Sequence, residues 1–125
     1  MKILFLGDVV GVSGCSKIIE NLLDQIKINE IDFVIVNAEN ADETGVGLTQ
    51  TICENFFNCG IDVITTGNHV WDQKDIMKFI EKENRLLRPK NLFEPAPGSG
   101  FEIFSCKGEI GRAHVWTPVT DVSRM

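Results

Sequence analysis

At 125 residues the chain is long enough for one hydrophobic core and too short for two domains. Its 43% hydrophobic and 24% charged residues are the mix of a globular protein. A net charge of −6 excludes a general nucleic-acid binder, which would turn a basic face toward phosphates, although bound metal ions could still draw a phosphate ester to an acidic chain.

Lys2 to Leu6 is a continuous apolar run ending at Gly7, which predicts a strand buried on both faces. A glycine-punctuated loop from Gly7 to Gly14 is expected next. Ser16 to Ile28 then sets Ile18, Ile19, Leu22, Leu23 and Ile26 at helical spacing, one apolar stripe on a surface helix. Phe33 to Val36 predicts a second buried strand, ending in the polar cluster Asn37-Ala38-Glu39-Asn40. After a loop from Ala41 to Gly47, a helix is expected over Thr49 to Asn58, with Ile52, Phe56 and Phe57 inward and Gly60 stopping it. Val63 to Thr66 predicts a third strand, closed by Gly67-Asn68-His69. A third helix is expected from an Asp72 cap through Glu83, with Ile76, Phe79 and Ile80 inward. Arg85 to Gly100 reads as proline-bearing loop, and Phe101 to Cys106 alternates like a fourth strand. Strands alternating with helices imply an α/β fold with a mainly parallel sheet and helices packed on its faces.

In such sheets ligands bind beyond the carboxyl ends of the strands. Each unusual polar cluster lies at one of those ends: Asp8 after the first strand, Glu39 and Asn40 after the second, Asn68 and His69 after the third. Each has a bland reading. Asp8 could cap a turn, Glu39 and Asn40 could be solvated loop residues, Asn68 could adopt a left-handed turn, and His69 could be a half-buried structural histidine. Three clusters at three successive strand ends favour one joint site. Carboxylate and amide oxygens suit hard or intermediate divalent ions such as manganese, iron or magnesium. One carboxylate can bridge two ions, and such a pair can bind a phosphate oxygen, generate hydroxide at neutral pH and stabilise transition-state charge. A nearby histidine can protonate the leaving oxygen. Histidine ligands should complete such a site, and this chain has too few.

The blocks Gly7-Asp8-Val9-Val10-Gly11, Asn37-Ala38-Glu39-Asn40, Thr66-Gly67-Asn68-His69-Val70-Trp71-Asp72, Arg85-Leu86-Leu87-Arg88-Pro89 and Pro97-Gly98-Ser99-Gly100 occur in order at family-like spacing. Together they resemble the YmdB-type bacterial metallophosphoesterases, over Met1 to about Gly108. The resemblance implies the N-terminal half of a calcineurin-like α/β/β/α sandwich with a dinuclear metal site, acting on 2′,3′-cyclic nucleotides or related phosphodiesters. Carried over by position, Asp8 would bind the first metal, Glu39 would bridge both, Asn40 and Asn68 would bind the second, and His69 would be the catalytic proton donor or phosphate-stabilising group. The family's remaining histidine ligands match nothing after Cys106.

The sequence thus divides into 1–108, the N-terminal part of a metallophosphoesterase domain, and 109–125, a tail of different origin. Lys107-Gly108 is a hairpin turn, but from about Ile110 the run Ile-Gly-Arg-Ala-His-Val-Trp-Thr-Pro-Val-Thr reads as the translation of a sequencing-library adapter, with Trp116 on a TGA codon. On that reading His114 is not a metal ligand, and the fragment itself is expected to be inactive. Cys15, Cys53, Cys59 and Cys106 make no C-x-x-C or zinc spacing and are expected as reduced, packed thiols. The apolar start is too short for a signal peptide and no run could span a bilayer, which predicts a cytoplasmic protein with no membrane partner. A homo-oligomer is left open. Two rival readings are a Rossmann-like nucleotide-binding module, from Gly7, Gly11 and Gly14 with Glu39 as the ribose acid, and a non-catalytic scaffold. The glycine spacing departs from G-x-G-x-x-G, and Asp8 would face the pyrophosphate.

Overall fold

The structure, a computed structural model, describes residues 1–93 and 95–117. Four short strands, β1 (Ile3–Leu6), β2 (Phe33–Asn37), β3 (Val63–Thr65) and β4 (Leu86–Leu87), pair in parallel in that spatial order. Helices α1 (Gly11–Asn29), α2 (Gln50–Asn58) and α3 (Ile76–Ile80) carry the chain from each strand to the next. Alternation along the strands builds two cores. Val34, Val36, Ile64 and Leu86 pack with Leu22 of α1 and with Cys53 and Phe56 of α2. Phe33, Ile35, Val63 and Leu87 face the other way, against Phe104, Ala113 and Val115. That second face is covered by an antiparallel hairpin of β5 (Phe101–Cys106) and β6 (Glu109–His114), whose Phe104 ring lies 5.8 Å from that of Phe33. Its turn residues, Lys107 (φ 50°) and Gly108 (φ 79°), are both left-handed, as a two-residue hairpin turn requires.

The mainly parallel α/β architecture agrees with the sequence reading, and several boundaries move. Helix α1 begins at Gly11, well inside the stretch expected as loop, because Gly14 tucks a bare Cα against Val9, where a Cβ would stand 3.1 Å from Cγ1. Helix α2 has the expected limits, with Thr49 Oγ1 accepting from the Ile52 N–H at 3.4 Å. The third helix shrinks to Ile76–Ile80, since Asp72 bonds the His69 ring instead of capping a first turn. The loop expected from Arg85 hides β4, two residues too short for any periodicity to betray. β1 is not buried on both faces: it is the sheet edge, and Ile3 and Phe5 stay exposed where the hairpin does not reach. Both long helices lie on one face of the sheet rather than on two.

The segment expected to be foreign to the domain supplies β6 and the buried Val115; its last part, 118–125, lies outside the described residues. An antiparallel ladder is made by backbone groups, so the Lys107-Gly108 turn recruits whatever follows it. Where β5 alternates exposed and half-buried side chains, β6 leaves all but Ala113 exposed. Among the described residues, no helix is long and apolar enough to cross a membrane.

Candidate metal centre

The register sets the strand ends level, with Leu6 beside Val36, Val36 beside Ile64, and Asn37 beside Thr65. Backbone bonds then continue the order past the ladder: Val9 N–H to Asn37 O at 3.0 Å, Ala38 N–H to Thr65 O at 3.0 Å and Gly11 N–H to Asn40 O at 2.9 Å. Three loops therefore leave the sheet side by side, and Asp8, Glu39, Asn40, Asn68 and His69 line a single open cleft of about 490 Å³ together with Asn37.

Asp8 takes a left-handed backbone (φ 41°) directly after β1, and its Oδ1 accepts from Asn40 Nδ2 at 2.7 Å. Asn68, expected as a candidate for that conformation, has no positive φ; Asp8 has it. The Glu39 carboxylate receives the His69 backbone N–H on Oε2 at 3.1 Å and Asn37 Nδ2 on Oε1 at 3.5 Å. It lies over Gly67, where a Cβ would come within 2.2 Å of Oε1. His69 Nδ1 meets Asp72 Oδ2 at 2.6 Å; since a carboxylate only accepts, the proton sits on Nδ1, leaving Nε2 as the ring atom open to a substrate.

Behind the cleft, buried Asp42 braces the loops after β2 and β3. Its Oδ2 accepts from Thr44 N–H (3.1 Å), Thr44 Oγ1 (2.7 Å) and Gln73 Nε2 (3.2 Å), while Gln73 also reaches Val46 O. The Gly47 N–H caps Glu39 O at 2.6 Å.

Two buried amide oxygens, Asn37 Oδ1 and Asn40 Oδ1, have no hydrogen-bond donor among the described residues. Unpaired buried acceptors are costly, and a cation satisfies them as a donor would. With the Asp8 and Glu39 carboxylates, the Asn40 oxygen forms an all-oxygen set, which fits a hard divalent ion. Charged and ring side chains alone do not make the set: no three His, Cys, Asp or Glu side chains cluster for a metal among the described residues, so amide oxygens would have to complete it. The Cys15 thiol, near the cleft, donates to Ala41 O at 3.3 Å and is pushed up by burial, so it stays protonated. His114 borders an adjoining cleft beside Glu39 and rests against the Phe101 ring.

All five site residues picked from the sequence thus meet at one rim. Four others were missed in these roles: Asn37 and Gly67 flanking Glu39, Asp72 on the histidine ring, and Gln73 on the loop brace. Asp72 was visible three residues after His69 and was read as a helix cap; Asn37 was visible as the polar end of an apolar strand.

Comparison with known proteins identifies the family. The family model for YmdB-like proteins matches residues 4–118. A "2′,3′-cyclic-nucleotide 2′-phosphodiesterase" of Bacillus subtilis is 40% identical over 110 residues, covering 87% of this chain and 41% of that protein. The crystal structure of a novel phosphatase from Mycoplasma pneumoniae superposes with a TM-score of 0.87 at 33% identity, over 97% of this chain and 44% of the other. A hypothetical protein of Thermus thermophilus gives 0.80 at 34% identity, over 88% and 42%. The chain therefore spans about two fifths of the length of the relatives it matches, and it belongs to the YmdB-like protein family.

Proposed function

We propose that the protein to which this sequence belongs is a metal-dependent phosphodiesterase that hydrolyses 2′,3′-cyclic nucleotides or related phosphodiesters in the cytoplasm. The observation that carries this reading is the oxygen-rich rim, where the Asp8 and Glu39 carboxylates and the donorless Asn40 oxygen converge from two strand ends, beside Asn68 and His69 from a third. Asp8, Glu39, Asn40 and Asn68 would hold two divalent ions, iron, manganese or magnesium. When bound, such ions supply Lewis acidity toward phosphoryl oxygens and lower the pKa of a water nucleophile.

The chain's own residues do the rest. The His69 N–H and Asn37 hold Glu39 in one orientation. Asn40 fixes Asp8. Asp72 holds the His69 Nδ1–H, so that the doubly protonated ring would present its Nε2–H to the leaving oxygen of a bound ester and give up that proton there, returning to the neutral ring. The Bacillus subtilis relative is named for this substrate class, which supports the choice.

The nucleotide-binding alternative fits less well. A dinucleotide fold binds at a reversal of strand order, and the described strands run 1-2-3-4 without one.

The test is ligand-dependent stability and turnover. Manganese is expected to raise the melting temperature of this chain, and Glu39→Gln to remove the effect. Hydrolysis of 2′,3′-cyclic AMP is expected from a full-length relative and little or none from the 125 residues alone. Stabilisation by NAD but not by manganese would reverse the assignment.

A further inference from the structure

Asn37 ends β2 in the row of Phe33 and Ile35, on the face that the hairpin covers. Alternation calls for another apolar side chain there. The chain instead carries an amide whose oxygen is buried and has no donor among the described residues. Its Nδ2 points at Glu39 Oε1, 3.5 Å away.

The same arrangement occurs once more at the rim: Asn40 aims Nδ2 at Asp8 Oδ1 and leaves its own Oδ1 without a donor. Each carboxylate of the site thus has one amide turned toward it. For Asn37 the orphaned oxygen follows from that aim. Rotating the amide by half a turn would set oxygen against the Oε1 carboxylate, acceptor facing acceptor.

We propose that Asn37 is a positioning residue that holds Glu39 Oε1 while the His69 N–H holds Oε2, keeping the carboxylate in the orientation in which it would bind metal. The inference rests on the metal-site reading above. Glu39 then has one donor per oxygen, one from each of two neighbouring strand ends, and Gly67 beneath leaves room for it. Without Asn37, Oε1 is free and the carboxylate can swing about the remaining bond to His69. Partners that orient a ligand in this way govern metal affinity without touching the ion.

Two variants separate this role from a structural one and from direct ligation. Asn37→Leu removes donor and orphan together at similar shape, so the fold should melt at or above the wild-type temperature. Asn37→Asp sets a second carboxylate against Glu39. The readouts are the His69 amide proton shift in the metal-free chain, which reports its bond to Glu39, and manganese-induced broadening of the Asn40 and Asn68 side-chain signals.

In both variants the His69 amide is expected to move upfield and the manganese midpoint to rise about tenfold or more. A His69 shift unchanged in both variants overturns the proposal, and so does an Asn37→Asp protein that binds manganese as tightly as wild type or tighter, which would make Asn37 a direct ligand. If the wild-type chain shows no manganese broadening, the metal-site reading fails; the His69 shift then still decides whether Asn37 clamps Glu39.

Discussion

The Glu39 carboxylate rests against Gly67 so closely that a methyl group there would stand 2.2 Å from Oε1 and 2.6 Å from Oε2. The three nearest neighbours of that imagined Cβ all belong to the Glu39 carboxyl group, the free end of a flexible side chain. Gly67→Ala should therefore leave folding nearly unchanged, within about 1 kcal/mol, while displacing Glu39 and weakening manganese binding by roughly tenfold or more. Thermal melting alongside a manganese titration checks both halves, and a variant that unfolds would show that the glycine serves the backbone instead.

The brace behind the cleft has a hierarchy that denaturant titration can read. Asp42→Ala removes three hydrogen bonds at a site 8% exposed, two from Thr44 and one from Gln73, while Thr44 Oγ1 and Gln73 Nε2 keep Val46 O. A loss of about 1–3 kcal/mol is expected for it. Gln73→Ala removes one arm and leaves the Thr44 bonds, so it should cost about 1 kcal/mol or less. The reverse ranking would contradict the assignment of Asp42 as the hub.

Glu83 and Arg85 make a pH-dependent contribution of known sign. The Arg85 guanidinium, bonded to both carboxylate oxygens at 2.8 and 2.9 Å, holds Glu83 below its usual range. A depressed carboxylate stabilises the fold above its unfolded pKa and loses that stabilisation as pH falls through the folded value. Glu83→Gln should thus be less stable than wild type at pH 7 and converge with it at low pH, below the usual carboxylate range. Because the Arg85 side chain is 45% exposed, the gap at pH 7 is expected to be roughly 0.5 kcal/mol. Paired urea titrations across that range measure it.

The open side of β1 predicts dye binding. Ile3 and Phe5 are 55% and 59% exposed beside the hairpin, on a chain covering about two fifths of its relatives. Phe5→Ser should lower the fluorescence of a hydrophobic reporter dye and slow aggregation, with a stability change under about 1 kcal/mol. Unchanged dye binding would mean that the reporter senses another surface.

The parallel sheet and the meeting of Asp8, Glu39, Asn40, Asn68 and His69 were legible because parallel strands put all their carboxyl ends at one edge. An apolar run followed by a polar cluster marks that edge three times in the sequence. What escaped was decided by contacts between distant residues. β4 has two residues and takes its structure from β3 on one side and the Leu87–Ser99 bridge on the other. The length of α1 depends on Gly14 meeting Val9, and the shortness of α3 on Asp72 choosing the His69 ring over its own backbone. Asn37 and Gly67 mattered only once Glu39 had a position, and no local pattern supplies one.

The backbone at Asp8 carries a further implication. Of the three non-glycine residues with positive φ among the described residues, Glu30 ends a helix and Lys107 makes a hairpin turn, both ordinary places for that conformation. Asp8 sits between a strand and the cleft, where glycine would be relaxed and would carry no charge. Stability and chemistry therefore pull this position in opposite directions. A selection for thermostability alone, with activity left unscreened, should drift toward glycine at position 8 and yield a sturdier protein with a disarmed site.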